Sequence, residues 1–403
     1  MSIVSVCFTN FGPYHLARLR ALAARLDARG DRLVAFEVAG VERTYPWARS
    51  RQDEPFEWVT LFPDRVLETI EPEACRAAMI EALEQHRPDA LGIVGYARPE
   101  SMAAARWGTR HRRATLLMSE SQEIDWPRTW WKEMIKRRRV SYFDAALVGG
   151  PSHRDYLVQL GMPADRIALG YNAVDNDYFA REAAEWRHHP AGRAGLPASP
   201  YFLCVCRFAP EKNLPRLIEA FACYRRASGQ DRLWDLVLCG DGPGRAEVDA
   251  AAAASGFAHA IHRPGFVQVD GLPRWYAHAG AFVLPSLIEP WGLVANEAAA
   301  SGCPLLISRR AGCAETLVPD PPGSTGRRFA PLDVEELGEA LGWIASSPAE
   351  AREAMRRRAA EVVSAWGPDR FAEGVVEAIE LARGRRTGRR RVSASPAAGA
   401  RTR

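Results

Sequence analysis

One pattern constrains this chain more than any other: a strand-like apolar run followed by an amphipathic helix, repeated through two long cycles. In the first cycle, β-branched and apolar residues fill positions 2–9. Leucines 16, 19, 22 and 26 then recur at helical spacing and stop before Gly30. Further strands are expected at 32–38, 90–95, 114–118 and 145–148, with helices at 73–86, 100–111, 130–139 and 153–160. The second cycle has strands at 201–206, 234–239, 260–262, 281–285 and 304–308, and helices at 214–227, 245–255 and 293–301. Strand–helix alternation of this kind builds parallel sheets with helices on both faces. At 403 residues the chain is too long for one ordinary core. The expectation is therefore an α/β protein of two doubly wound, Rossmann-like domains with the active site in the cleft between them. The boundaries are drawn as 1–180 for the first domain, 181–200 for a polar Pro/Gly/His-rich linker and 201–365 for the second domain. A final amphipathic helix at 366–382 and a disordered Arg-rich tail at 383–403 complete the chain.

Composition narrows the function. Eight arginines and no acid lie from 383 onward, so the net charge of +4 leaves −4 for residues 1–382, and an acidic body argues against nucleic-acid binding. No apolar run approaches the roughly 20 residues that cross a bilayer. The first residues lack a basic leader and pass straight into a strand, which predicts a cytoplasmic protein, peripheral to the inner membrane at most. Eight cysteines contain no C-x-x-C pair and read as buried, reduced thiols rather than disulfides or zinc ligands. Lysine is rare, three against 50 arginines, so Lys212 in a loop is conspicuous as a compact point charge.

Three loops at strand ends carry candidate chemistry. After the strand ending at Pro285, a loop holds Glu289, and a helix starting near Gly292 holds Glu297. The free N–H groups of such a helix start suit a phosphate, whereas carboxylates there would repel it and suit sugar hydroxyls. By spacing alone, a capping Glu289 and a solvent-facing Glu297 fit equally well. The loop after 201–206 carries Arg207 and Lys212, two cations able to neutralise a departing diphosphate, or else two solvated loop charges. Gly240-Asp241-Gly242 follows a third strand and permits close backbone approach.

In order, Arg207…Glu211-Lys212-Asn213, Gly240-Asp241-Gly242-Pro243 and Pro285-Ser286…Glu289-Pro290-Trp291-Gly292…Asn296-Glu297-Ala298…Ser301-Gly302…Pro304 resemble the family 4 retaining glycosyltransferases of the GT-B superfamily. Tyr171-Asn172-Ala173-Val174-Asp175…Phe179 is similar to the family's linking segment, and Gly326…Phe329…Pro331-Leu332-Asp333…Leu337 to a later loop. The likeness is dense from Tyr171 to Leu341 and only topological before that. It implies a GT-B fold, a nucleotide-sugar donor held by the C-terminal domain and an acceptor held by the N-terminal one. The terminal helix would cross back onto the N-terminal domain. Arg207 and Lys212 match the diphosphate contacts, Glu297 the ribose carboxylate and Glu289 the carboxylate facing the donor sugar. Gly12, Gly240, Gly292, Leu293 and Val294 would border the donor, with its base against Phe266 and Val267. No metal or other cofactor is implied, in keeping with the lack of a D-x-D pair in a plausible loop.

The chain departs from the family at three places. Phe11-Gly12-Pro13 replaces a glycine pair, and Pro13 removes one N–H donor. Met118-Ser119-Glu120-Ser121-Gln122 lacks a histidine common in relatives, which leaves His15, Glu120 and Ser121 as candidates on the acceptor side. Ala279-Gly280 stands where an acid is usual.

Residues 98–139 hold eleven cations against five acids, together with Trp107, Trp126, Trp130 and Trp131. Such a segment suits sugar stacking or peripheral contact with an anionic membrane, and equally a solvated basic helix whose tryptophans pack inward. The expected activity is transfer of a sugar from a UDP- or GDP-sugar to a glycan, lipid-linked or small-molecule acceptor. A GT-B-like nucleotide-sugar epimerase or hydrolase is the rival among enzymes. A non-catalytic nucleotide-sugar-binding partner is the rival outside them.

Overall fold

The computed structural model describes residues 1–43, 53–228, 233–321 and 323–393, with side chains to 385. Two parallel sheets organise it. The first contains β1 (Ile3–Phe8), β2 (Arg32–Val41), β3 (Glu57–Val66), β4 (Ala90–Val94), β5 (Ala114–Ser119), β6 (Ala145–Val148) and β7 (Ile167–Leu169), in the order β3-β2-β1-β4-β5-β6-β7. The second contains β8 (Tyr201–Val205), β9 (Asp235–Cys239), β10 (Ile261–Gly265), β11 (Ala281–Leu284), β12 (Leu305–Ser308) and β13 (Gly326–Phe329), in the order β10-β9-β8-β11-β12-β13. The central strands are buried on both faces, as helices on either side require, so they read as mostly apolar runs broken only by small polar residues such as Ser5 and Thr115. The architecture is GT-B.

Three strands escaped the sequence pattern for physical reasons. β3 lies at a sheet edge, half exposed, and carries Pro63, Asp64 and Arg65. β13, at the far edge of the second sheet, carries Arg327 and Arg328, and β7 is only three residues long. The 181–200 stretch is not all linker, because the helix Asn176–His188 occupies its first part, started by the Asp175 side chain accepting from Tyr178 N–H at 2.9 Å.

The terminal helix also runs further than 382, through Pro368–Ser393. Arginine is a good helix former, and Arg385 is tied down by bonds to the Phe143 carbonyl (2.8 Å) and Asp144 (3.2 Å). The disordered tail drawn from 383 is therefore corrected over 383–393, and the call for 394–403 lies outside the described residues. Phe371, Val375, Ala378, Ile379 and Ala382 of this helix pack into the core of the first sheet with Val4, Val6, Leu116 and Leu147. All eight cysteines are free thiols, six of them buried. No described helix is long and apolar enough to cross a membrane.

Candidate active site

In each sheet the strand order reverses beside the first strand, between β1 and β4 in one and between β8 and β11 in the other. Loops leaving the carboxyl ends of such a pair diverge and open a crevice, the usual ligand site of an open parallel sheet. The loop after β8 brings Arg207, Glu211 and Lys212 to this crevice, and the loop after β11 brings Ser286 and Glu289. Lys212 Nζ donates to Glu289 Oε2 at 2.7 Å, and Ser286 Oγ donates to the same oxygen at 2.9 Å. Arg207 pairs with Glu211 at 2.9 Å in a more exposed position. Buried Asn213, at φ 60°, fixes the two loops together by donating to the carbonyls of Pro285 (3.1 Å) and Pro331 (2.7 Å). The Glu-Lys-Asn run is thus two charged residues, each paired elsewhere, followed by the residue that anchors their loop.

Gly292, at φ 103°, turns the chain into the helix Leu293–Ala300, which opens without a side-chain cap and has half-buried Leu293 and Val294 in its first turn. A Cβ on Gly292 would meet Leu284 Cδ2 at 2.7 Å, so only glycine combines that φ with that packing. Inside the helix Glu297 is fully buried, not solvent-facing. Tyr276 Oη donates to its Oε2 at 2.7 Å, and Tyr14 Oη, from the first sheet's side, donates to Oε1. Burial pushes the Glu297 carboxyl up to about 7 against the opposing pull of the two tyrosine donors. Gly240, read as a residue for close ligand approach, makes its close approach to the protein itself: a Cβ there would lie 1.8 Å from the Cys206 carbonyl oxygen. Phe266 is exposed and Val267 half-buried just after β10, two strands from β8.

The opposite bank is built from the first sheet. Gly12 N–H donates to His15 Nδ1 at 3.1 Å, and the ring lies edge-on to Phe8. Withdrawal from water, reinforced by the Arg18 guanidinium, lowers the His15 pKa to about 3, so the imidazole is neutral. Glu120, just after β5, accepts from Asn172 Nδ2. Burial raises its pKa, Arg18 and Asn172 oppose that rise, and the Glu289 carboxylate adds to it. Ser121 follows in the bend, its N–H donating to Ser119 Oγ at 3.3 Å. The structure therefore brings Glu120 within electrostatic reach of the Lys212–Glu289 pair, whereas His15 is held by its own helix start.

Several residues that stitch the banks together were not singled out by the motifs. Gln122 Nε2 donates to the carbonyls of Glu289 (3.1 Å) and Pro290 (3.3 Å). Fully buried His153 accepts from Gly150 N–H at Nδ1, so its Nε2–H donates to the Pro290 carbonyl at 2.7 Å. Tyr14, Tyr276, Gln122 and His153 belong to four separate helices or loops, and nothing in their spacing announces a common site. Among the described residues, no group of three or more His, Cys, Asp or Glu side chains is arranged to hold a metal.

Residues 194–362, which include both charged loops and Glu297, match the family model described as glycosyl transferases group 1. Over these residues the chain is similar to that family. Among curated relatives, the chain is 31% identical over 205 residues to an alpha-D-kanosaminyltransferase of Streptomyces kanamyceticus, covering 51% of each protein. It is 30% identical over 186 residues to a GDP-mannose-dependent alpha-(1-6)-phosphatidylinositol monomannoside mannosyltransferase of Mycolicibacterium smegmatis, covering 44% of this chain and 47% of that one. The chain thus spans about half the length of the curated relatives it matches. Solved structures extend the likeness of fold to nearly the whole chain. A sucrose-phosphate synthase of Thermosynechococcus elongatus superposes with a TM-score of 0.70 at 19% identity, covering 98% of this chain and 100% of that one. An Anabaena protein in complex with UDP and glucose gives a TM-score of 0.70 at 15% identity, covering 94% of this chain and 100% of that one.

Proposed function

We propose that the protein is a retaining, family 4-like glycosyltransferase that needs no metal and moves a sugar from a UDP- or GDP-sugar to an acceptor hydroxyl. The observation that carries this reading is the Lys212–Glu289–Ser286 cluster beside the uncapped start of the helix Leu293–Ala300, at the strand-order reversal of the second sheet. Lys212, Arg207 and the first N–H groups of that helix neutralise the donor diphosphate, a task that rests on fixed positive charge at the leaving group. Glu289, oriented by Lys212 and Ser286, accepts from hydroxyls of the donor sugar, and Glu297 accepts from the ribose. The acceptor hydroxyl, on the bank of His15 and Glu120, approaches the anomeric carbon from the face that the diphosphate leaves. The bond from carbon to diphosphate oxygen breaks, the bond to the acceptor oxygen forms, and the acceptor proton passes to the departing phosphate oxygen.

Hydrolysis is less well supported. A glycosidase sets two carboxyl groups on either side of the scissile bond. Here Glu289 is engaged by Lys212, and Glu297 by two tyrosines, and both arise from the same loop–helix segment. Substitution of Lys212 by Ala is expected to slow release of UDP or GDP from the donor by about 100–1,000-fold, the size of an electrostatic leaving-group contact. Turnover within a few-fold of the parent would place the chemistry elsewhere.

A further inference from the structure

The helix Trp130–Val140 is amphipathic in the wrong sense for a water-soluble surface. Its polar side faces the protein: Glu133 accepts from Lys136 Nζ and from Tyr156 Oη, each at 2.8 Å, and Arg128 and Lys136 donate to the same Tyr156 hydroxyl. Its apolar side faces outward. Trp130 and Met134 are 75% and 60% exposed and lie in one row with Arg138, while Trp131 and Ile135 form the next row, both exposed. Exposed Trp126 and Ile124 extend the patch toward the cleft, where Arg310 Nη2 donates to the Ile124 carbonyl at 2.6 Å. Lys132 and Arg137 flank the apolar rows and are exposed, with Arg139 half-buried beside them. Glu133, the one acid between 126 and 140, is turned inward.

We propose that this outward face docks on a bilayer surface rich in anionic phospholipid and so presents the mouth of the cleft to the membrane. Tryptophan and long apolar side chains gain by entering the headgroup boundary, and flanking cations gain from negative lipid charge. A second copy of the chain fits less well. A two-fold contact through this face would bring Lys132, Arg137 and Arg138 of both copies together without an acid to meet them. This inference stands apart from the transferase reading, since it concerns a surface and not the chemistry of the cleft.

The test is flotation of the full chain with vesicles of phosphatidylcholine alone or mixed with phosphatidylglycerol, at low and high salt. Binding is expected only to the mixed vesicles, weaker in salt and accompanied by a blue shift of tryptophan emission. Replacing Arg137, Arg138 and Lys132 together by Gln should weaken binding on the order of a hundredfold, from about 1 kcal/mol per surface cation. The triple variant Trp126→Ser, Trp130→Ser and Trp131→Ser should abolish the blue shift. These side chains point to solvent, so both variants should melt like the parent. The proposal is overturned if neither vesicle binds. It is also overturned if both variants bind undiminished, which would put the contact on the Arg-rich C-terminal residues, or if sedimentation shows a dimer that the variants dissociate while vesicles go unbound.

Discussion

The two banks of the cleft handle charge in opposite ways. On the C-terminal bank, loops from β8 and β11 present ion pairs, Lys212 with Glu289 and Arg207 with Glu211. On the N-terminal bank the titratable groups are held toward their neutral forms: burial keeps His15 unprotonated and raises the Glu120 carboxyl. The difference matches the chemistry each bank would serve. A diphosphate demands fixed positive charge, whereas an acceptor hydroxyl is better oriented by neutral hydrogen-bonding groups that cost less to desolvate. Glu297 stands between the two, a C-terminal carboxylate bonded by Tyr14 from the other side and titrating near neutrality.

Removing matched charges from the two banks should therefore have unequal consequences. Glu289→Gln keeps shape but loses the counter-charge to Lys212, and kcat/KM is expected to fall about 100-fold or more. Glu120→Gln, at a carboxyl already raised toward its neutral form, should cost about tenfold. Equal losses in steady-state nucleotide release would break the asymmetry. Glu297→Gln should weaken donor affinity by roughly tenfold or more, the scale of a lost charge-assisted hydrogen bond, while leaving kcat less affected. Titration calorimetry with the donor separates the two effects.

Smaller effects concern stability and pH. Glu297 binds its proton more tightly in the folded protein, about 7 against an ordinary 4.5, so the native state holds the extra proton between those values. Its contribution is complete below about pH 4.5 and is lost as pH rises through 7. Relative to the parent, Glu297→Gln should gain melting temperature between pH 5 and pH 8. His15 works in the other direction. Its folded value of about 3 lies below the usual 6.5, so its contribution is present above 6.5 and is lost as pH falls toward 3. His15→Asn should flatten the acid limb of the stability curve between pH 6.5 and pH 3. Parallel pH dependence of the melting temperature in both variants would contradict the assignment of opposite protonation states to two neutral groups.

The banks also differ in how far they could be read from sequence. Arg207, Lys212, Glu289 and Glu297 lie in short continuous motifs, the first three on strand-to-helix connections and Glu297 in the helix that follows one, whose direction is set by the parallel sheet, so order along the chain nearly fixes place in space. The N-terminal bank has no such economy. Glu120 meets Asn172 across 52 residues, past the ends of β5 and β7 of one sheet, and Tyr14 meets Glu297 across 283, through a contact that depends on how the two sheets face each other. Edge strands were hidden because exposure lets them carry charge and proline, as β3 does. Gly240 shows the converse hazard: its glycine was legible, but the partner of its close approach was the chain's own Cys206 carbonyl.

The central claim is that the C-terminal bank grips a nucleotide sugar by its own charges. The most direct measurement is thermal unfolding with a panel of UDP- and GDP-sugars, in buffer without divalent metal and again with EDTA. A ligand bound by the native state raises the melting temperature by mass action, by about 2.7 kcal/mol of stability at a hundred times its Kd. The account predicts a clear rise with one nucleotide class, unchanged by EDTA and lost in Lys212→Ala. No rise with any nucleotide sugar, or a rise that EDTA removes, would contradict it.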